Sequence, residues 1–247
     1  MEIKLPVPIK SGDTIYTHAE ITRPRSKILA QTTKTIRSSS EWHAMLDFIA
    51  GCVLRFFNED GSEVDDKVAI KALVRKMPAV QTANYVVSQI LILMDPVKYM
   101  EDYEPEFTID LSEPVVIVNA KTREELFKVE TITMRHPTLG DCINAFQKLG
   151  ANDEVKLQWQ IYVESLTAYN GEPIDTKTKN TYGMFIFNEL KDPIADYKAI
   201  SNNYKKHGLD TSVKRHCKNR ACGKVWRTNL NTSNFFVSAL QSSQVAM

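Results

Sequence analysis

Residues Phe127–Pro137, FKVETITMRHP, indicate how the chain is organised, because they repeat a motif that occurs near its start. Alternating apolar and polar residues predict a β-strand over Phe127–Met134, which ends at Arg135-His136-Pro137. The earlier copy is a strand that closes at Ala19–Thr22 and is followed by Arg23-Pro24. Such self-similarity, at a spacing of roughly 110 residues, predicts an internal duplication.

The segments around the first copy predict one half of an α+β fold. Ile3–Val7 and Thr14–Ile21 predict a β-hairpin, because both alternate in polarity on either side of Ser11-Gly12-Asp13. Apolar residues at helical spacing predict the helices Ser26–Ile36, Glu41–Phe57 and Lys67–Lys76, and a longer helix that opens at Met77-Pro78. A second, acidic hairpin, formed by Glu106–Leu111 and Pro114–Val118, is predicted to close this half.

The second half is predicted to follow the same order. The expected helices are Thr138–Leu149, Val155–Tyr169 and Asn180–His207, the last broken at Asp192-Pro193, and the expected strands are Val213–His216 and Val225–Leu230. We therefore predict repeats at residues 1–122 and 123–236 and a tail at 237–247. The predicted fold is α+β, internally duplicated and mostly helical. Short antiparallel hairpins stand at the start and end of each half, and a zinc-ribbon-like knuckle stands at the C-terminus.

Composition excludes several classes of protein. Hydrophobic residues make up 43% and charged residues 25% of the chain, which is typical of an ordered globular protein. A formal charge of +1 argues against bulk binding of nucleic acid. The sequence contains no apolar run of about 18 residues, so we expect no membrane partner. The start MEIKLPVPIK lacks the apolar core of a signal peptide, and four cysteines form no disulfide framework, which predicts a reducing cytoplasm.

A basic segment near the C-terminus, Lys214–Phe236, contains most of the residues that could bind a metal or a partner. His216, Cys217 and Cys222 are candidate metal ligands. A zinc ribbon needs two knuckles of two thiolates each, whereas the matching stretch of the first half, YMEDYEPEF at 99–107, has no cysteine or histidine. We therefore expect no cofactor, with zinc as the open alternative. The candidate partner-binding residues are Lys214, Arg215, Lys218, Arg220, Trp226, Phe235 and Phe236.

Charge is distributed unevenly between the two predicted terminal hairpins. Between Met100 and Thr131 nine acidic residues stand against three basic ones, and between Lys198 and Arg227 nine basic residues stand against one acidic. Opposite charge could orient the two hairpins against each other, or the basic segment could face an acidic protein or nucleic acid. Phe235 and Phe236 either cap the core or dock in a neighbouring subunit.

Catalytic motifs are missing from the sequence, so we expect no enzyme. There is no Gly-rich phosphate loop, no His-Glu-x-x-His and no Gly-x-Ser-x-Gly. His136, Asp141 and Cys142 lie close together in sequence, but a structural interpretation fits them better. Thr138 is the expected helix N-cap with Asp141 three residues on, and Cys142 belongs to the apolar face of that helix.

Four stretches together resemble a known family. These are LPVPIKSGDTIYTHAEITRP at 5–24, EPEFTIDLSEP at 104–114, VETITMRHPTLGD at 129–141, and CKNRACGKVW at 217–226 followed by Phe235-Phe236. In this order they resemble the baseplate hub and baseplate-assembly proteins of T-even-like contractile-tailed phages. The opening is also similar to the tail assembly chaperones of such phages. Many family members carry two Cys-x-x-Cys knuckles sharing one metal, whereas this chain lacks the first and stretches the second.

The resemblance implies a non-enzymatic structural or morphogenetic subunit that forms or assembles the baseplate hub. Its expected partners are other phage tail proteins and further copies of itself, and its expected location is the virion, with the host cytoplasm during assembly. Two alternatives stay open. One is a tail assembly chaperone that binds the tape-measure protein. The other is a zinc-knuckle nucleic-acid-binding regulator, although the overall charge disfavours nucleic acid.

Overall fold

A computed structural model describes residues 1–92, 104–119, 121–150, 153–206, 212–216, 222 and 225–229. Within these residues the fold is α+β, with two four-stranded antiparallel sheets and eight α-helices. The strands are spread along the chain. No described helix is long and apolar enough to cross a membrane.

The first half, residues 1–92, builds the first sheet in the order β1-β2-β3-β4. Its elements are β1 (Glu2–Ser11), β2 (Thr14–Ile21), α1 (Ser26–Ser38), α2 (Glu41–Cys52), β3 (Val53–Phe57), β4 (Glu63–Val64), α3 (Lys67–Lys76) and α4 (Asn84–Ile92), with a π-helical turn at Ala79–Ala83. Ser40 and Asp66 cap α2 and α3 through their side chains. Both helices therefore begin where a polar residue meets their free N–H groups.

The second half, residues 104–206, builds the second sheet in the order β5-β6-β7-β8. Its elements are β5 (Glu106–Val118), β6 (Glu125–Arg135), α5 (Leu139–Leu149), α6 (Glu154–Ser165), β7 (Leu166–Tyr169), β8 (Glu172–Pro173), α7 (Lys179–Asn188) and α8 (Pro193–Lys206). Two further strands, β9 (Ser212–His216) and β10 (Val225–Asn229), pair as a separate sheet. Each half thus runs strand, strand, helix, helix, strand, strand, helix, helix.

The predicted fold class is wrong, because it made the chain mostly helical and confined the strands to hairpins at the ends of each half. Instead, Glu106–Val118 is one strand that pairs with β6 and opens the second sheet. The strand is irregular between Asp110 and Val115, but the chain keeps its direction there. Asp196 of α8 accepts hydrogen bonds from Ser112 N at 2.8 Å and Ser112 Oγ at 3.1 Å, which holds the irregular segment against the helix. The predicted boundary at residue 122 falls in the connection between the paired strands β5 and β6.

Two helix predictions are too long, for the same reason in both halves. The predicted helix Glu41–Phe57 ends at Cys52, and the predicted helix Val155–Tyr169 ends at Ser165. A short strand follows each helix without a gap, since Val53 and Leu166 already have extended backbone. Asn170 and Gly171 have φ values of 49° and 80° and form the two-residue turn of the β7–β8 hairpin, rather than a helix end.

Other predictions are confirmed. Gly12, with φ of 63°, makes the turn between β1 and β2, where a residue with a Cβ atom would be strained. Helix α3 spans Lys67–Lys76 as predicted. The last long helix is broken before Pro193, which starts α8. Strands β9 and β10 lie where strands were expected.

The two halves join at the start of α5. Leu139 and Ile143 of this helix are fully buried in the core of the first half. Leu139 N donates to Met77 O at 2.9 Å, and Ala79 N donates to Pro137 O at 3.0 Å. These backbone bonds, together with the shared core, fix the second half against the first.

Candidate functional site

The predicted C-terminal site lies partly on the separate sheet of β9 and β10. The antiparallel register places Arg215 opposite Trp226, Lys214 opposite Arg227, and His216 opposite Val225. The site residues Cys217, Lys218, Arg220, Phe235 and Phe236 lie outside the described residues. The structure therefore brings Lys214, Arg215 and Trp226 together on one hairpin, at neighbouring positions of its two strands.

The predicted zinc-ribbon-like knuckle is not found. Among the described residues no group of three or more histidines, cysteines and carboxylates could hold a metal. Cys222 is an exposed free thiol beyond the end of β9, and His216 lies within that strand. A structural zinc site needs four convergent ligands, and the described part of this hairpin supplies two candidates. The knuckle is corrected to a two-stranded hairpin.

The cluster of His136, Asp141 and Cys142 is structural, as expected. Thr138 and Asp141 form a capping box at the start of α5. Cys142 is buried in a small apolar cluster with Ala145 and Ile161, and burial raises the pKa of its thiol to about 12. An unionised thiol is a weak nucleophile, so this cysteine is unsuited to catalysis.

His136 lies at the junction of the two halves and is 3% exposed. Its Nδ1 is 3.1 Å from Gln81 Nε2, an atom of the first half. Its ring contacts Phe107 and Tyr204, with centroids 5.7 Å and 5.5 Å away. The imidazole is thus packed between the halves and does not line an open site.

A partly buried ion pair between Arg135 and Asp141 ties the end of β6 to α5. The guanidinium binds both carboxylate oxygens, with Nη2 2.9 Å from Oδ1, and also donates to Glu164 O at 3.2 Å. Although burial acts to lower it, the pKa of Arg135 is raised by its hydrogen bond to Asp141 and by the charge of that carboxylate. The Arg135 side chain therefore holds together β6, α5 and α6.

A second polar cluster extends this network to α7. Lys179 Nζ donates to Glu164 O at 2.8 Å, and Lys148 Nζ donates to Glu164 Oε1 at 2.6 Å. Burial, followed by the charge of Arg135, lowers the pKa of Lys179. Sequence analysis missed Glu164 and Lys179 because their partners lie on other helices. Arg135, at the end of the repeated strand motif, and Asp141, as the partner of the Thr138 cap, were singled out from the sequence.

A cleft of about 440 Å³ separates α1 and α2 from α5 and α6. Trp42, Phe146, Leu157 and Ile161 supply its apolar wall, and Ser40 lies at its rim. Ser40 Oγ is 2.7 Å from His43 Nδ1, but the same oxygen also accepts from His43 N as the cap of α2. Burial, then Arg75, lowers the pKa of His43. The Ser–His contact is explained by helix capping, and the cleft has the size and lining to receive an apolar side chain.

Exposed carboxylates line the strands β5 and β6. Glu106, Asp110, Glu113 and Glu125 are exposed and form no ion pair with any other described residue. Glu130 pairs with Lys128 at 3.2 Å. We call the four unpaired residues, with the exposed Val116 and Leu126 between them, the acidic β5–β6 surface. Sequence analysis found the acidic excess but placed it on a terminal hairpin.

Comparison with known proteins identifies no relative. No protein-family model matches the chain, and no curated protein or solved structure is similar enough to count as a match.

Proposed function

We propose that this chain is a structural or morphogenetic subunit of a contractile phage tail, which forms or helps to assemble the baseplate hub through protein–protein contacts. In this proposal it resides in the virion, after assembly in the host cytoplasm. The motif resemblance at 5–24, 104–114, 129–141 and 217–226 motivates the phage setting. The geometry of the described residues bears on how such a subunit would make contacts.

The observation that carries the contact role is the basic hairpin β9–β10. It pairs as a two-stranded sheet separate from both four-stranded sheets. Its sequence places Lys214, Arg215, Trp226 and Arg227 on the two strands. A hairpin of two strands has little core of its own, so it gains stability by packing against something else. Arginine and aromatic residues are frequent at protein interfaces, and the basic charge of this hairpin would attract acidic groups, so we propose that it docks on an acidic protein.

The polar groups in the rest of the described fold support a non-catalytic role. The buried candidates Asp141 and Cys142 serve as a helix cap and as core. Ser40 and His43 are engaged at the start of α2. These contacts account for the residues that would otherwise suggest catalysis.

Reversing the charges of the hairpin tests the proposal. The variant K214E/R215E/R227E should fold but fail to enter tail particles, while the matched variant K10E/K27E/K177E changes three exposed lysines elsewhere and should enter normally. Replacing Cys217 and Cys222 by serine should cause only a modest loss. Normal incorporation of the charge-reversed chain, measured by mass spectrometry of purified particles, would exclude the hairpin as the docking element.

The role of the C-terminal tail of the chain and the nature of the partner are tested separately. A chain lacking Asn234–Met247 should remain folded and be absent from particles, because Phe235 and Phe236 are proposed to dock in a neighbour. Finding the full-length chain in assembling cells but never in finished particles would favour the chaperone role instead. We expect the chain to cause no electrophoretic mobility shift of DNA or RNA at low salt. A salt-sensitive mobility shift would indicate that the partner is nucleic acid rather than protein.

A further inference from the structure

We propose that the fold binds a small organic carboxylate in a cleft at the end of the first sheet. The cleft measures about 320 Å³ and lies between α4 and the chain that leaves β2. We call it the strand-end cleft, and its lining residues are Met1, Ile21, Thr22, Arg23, Gln89 and Ile90. Pockets for small molecules begin at roughly 300 Å³, so this cleft has room for a short ligand. The binding is additional to the proposed assembly role and does not depend on it.

Backbone hydrogen bonds hold the strand side of the cleft in place. Met1 N donates to Ile21 O and Ile21 N donates to Met1 O, both at 2.8 Å. Thr22 N donates to Cys52 O, also at 2.8 Å. Three of the lining residues therefore belong to hydrogen-bonded backbone. A ligand would meet a wall that is already formed, which lowers the entropy cost of binding.

The inner part of the cleft is apolar. Ile21 and Ile90 are 2% and 3% exposed, and both belong to the core of the first half. Met1 adds an exposed apolar side chain to the same lining. An alkyl chain placed against these residues would leave water, and this favours a ligand with an apolar part.

Gln89 adds a buried polar group to the lining. The residue is 4% exposed, and its Nε2 forms no hydrogen bond with any described residue. Buried side-chain amides nearly always have hydrogen-bond partners, so an unpaired donor indicates that an acceptor is missing. Because Gln89 lines the cleft, an oxygen atom of a bound molecule would fit this requirement.

Arg23 supplies a positive charge on the solvent side of the cleft. It is exposed and forms no ion pair with any described residue. Arg25 and Lys27 follow closely, and residues 22–27 include no acidic residue. None of the six lining residues is acidic either. The cleft therefore favours an anion over a cation or a neutral molecule.

The combination of one guanidinium with an apolar wall favours a carboxylate among the anions. Arginine pairs with carboxylates through two parallel hydrogen bonds. A phosphate is usually held by several backbone N–H groups or by several cations, and it has no apolar part. The larger cleft beside Trp42 differs, because Glu41 lines it and no cation does among the described residues. The same carboxylate should therefore not bind there.

Isothermal titration calorimetry of the full-length chain with sodium hexanoate tests the proposal. We expect saturable binding of one hexanoate per chain. Hexanamide has the same length without the charge and should bind at least about tenfold more weakly, because it cannot form the ion pair with Arg23. Sodium phosphate should also bind more weakly than hexanoate, since it has no alkyl chain to place against the isoleucines.

Two variants locate the site within the fold. Arg23→Gln should weaken hexanoate binding at least about tenfold. The matched control Arg25→Gln removes an exposed arginine that does not line the cleft, and it should bind like the wild-type chain. Gln89→Met keeps the length of the side chain and removes its amide. It should weaken hexanoate binding several-fold and melt no lower than the wild-type chain, because a buried unpaired donor is lost.

Three results would overturn the inference. These are no saturable binding of hexanoate by the wild-type chain, equal losses in Arg23→Gln and Arg25→Gln, and phosphate or hexanamide binding as tightly as hexanoate. Unchanged hexanoate binding in Gln89→Met would remove the amide from the site. None of these results bears on the proposed function, which is measured by incorporation into particles and depends on the β9–β10 hairpin.

Discussion

The open faces of the two sheets differ in whether their charged side chains form ion pairs. On the first sheet, Arg55 lies within 2.8 Å of both Glu20 and Glu63 and within 3.5 Å of Glu2. His18 stacks on Phe57 beside it, with centroids 5.3 Å apart. On the second sheet, carboxylates such as Asp110 have no cation among the described residues. Sheets of the same order thus differ in whether their surface charge is already paired.

The entry into the first helix of each half differs in the opposite sense, because here the second half has the additional polar contacts. Helix α1 follows Arg25, which provides no side-chain cap. Helix α5 follows Thr138, whose capping box with Asp141 is reinforced by Arg135. The comparison teaches that the polar contacts inside the chain are concentrated at the junction of the halves, where α5 enters the first core. Breaking those contacts should have the largest effect on stability.

Asp141→Ala should be the most destabilising of the changes considered. It removes the cap of α5 and leaves Arg135, whose side chain is 33% exposed, without its carboxylate. We expect a loss of about 3 kcal/mol in the free energy of unfolding, measured by urea denaturation. The control Arg25→Ala changes the N-cap residue of α1, whose side chain provides no cap, and should cost less than about 0.5 kcal/mol. Equal losses would mean that the two helix entries are equivalent after all.

Gly140→Ala should have the next largest effect, because it acts on the contact between the halves. A Cβ atom there would lie 2.9 Å from the carbonyl oxygen of Arg75, a backbone atom of α3. We expect a net loss of about 1–2 kcal/mol after the helix gain of alanine over glycine is included. In Gly51→Ala the new atom meets the Ile28 side chain at 3.1 Å, and that chain can adjust. A thermal melt in which Gly140→Ala is no less stable than Gly51→Ala would contradict a tight junction.

Much of this architecture could be predicted from sequence, because local chemistry decides it. The turn at Gly12, the helix Lys67–Lys76 and the box at Thr138 each follow from a few neighbouring residues. The short strands β3 and β7 were missed, since Val53 and Leu166 continue the apolar pattern of the preceding helix. Over four or five residues, helical and strand periods cannot be separated.

The site was harder to predict, because its contacts join distant parts of the chain. Glu106–Val118 was interpreted as a hairpin from Ser112–Pro114, while its actual course depends on Asp196 of α8. Glu164 and Lys179 meet only through the packing of α6 and α7. A carboxylate on an exposed strand looks the same in sequence whether or not a cation reaches it. The contrast between the two open faces therefore required the structure.

Two buried cysteines, one in each half, should make the stability of the fold depend on pH in the alkaline range. Burial raises the pKa of Cys52 to about 11 and that of Cys142 to about 12, from 9.0. Above pH 9 the unfolded thiols ionise while the folded ones stay protonated, so stability should fall as pH rises through this range. Cys142→Ala should flatten that decline more than Cys52→Ala, as measured by urea denaturation at several pH values.

Thiol labelling provides the control for this prediction. Cys222 is exposed, so a thiol reagent should modify it in the native chain. Cys52 and Cys142 should react only after unfolding. Rapid native labelling of Cys142 would show that the packing between α5 and α6 opens readily, and the larger alkaline effect in the second half would then not be expected.

Arg55→Met should have the smallest effect, although Arg55 contacts three carboxylates. The hydrogen bonds to Glu63 and Glu20 raise the pKa of Arg55, but its guanidinium is at the surface, where water screens each pair. We expect a slight fall in melting temperature at low salt that disappears at high salt, because mobile ions replace the lost cation. The control Lys128→Met removes the one ion-pair partner that Glu130 has among the described residues, and it should lower the melting temperature even less. A loss at Arg55 that persists in high salt would instead indicate that its packing on Phe57, 5.1 Å from the ring centroid, stabilises the first sheet. The contrast between the two faces would then rest on aromatic packing rather than on paired charge.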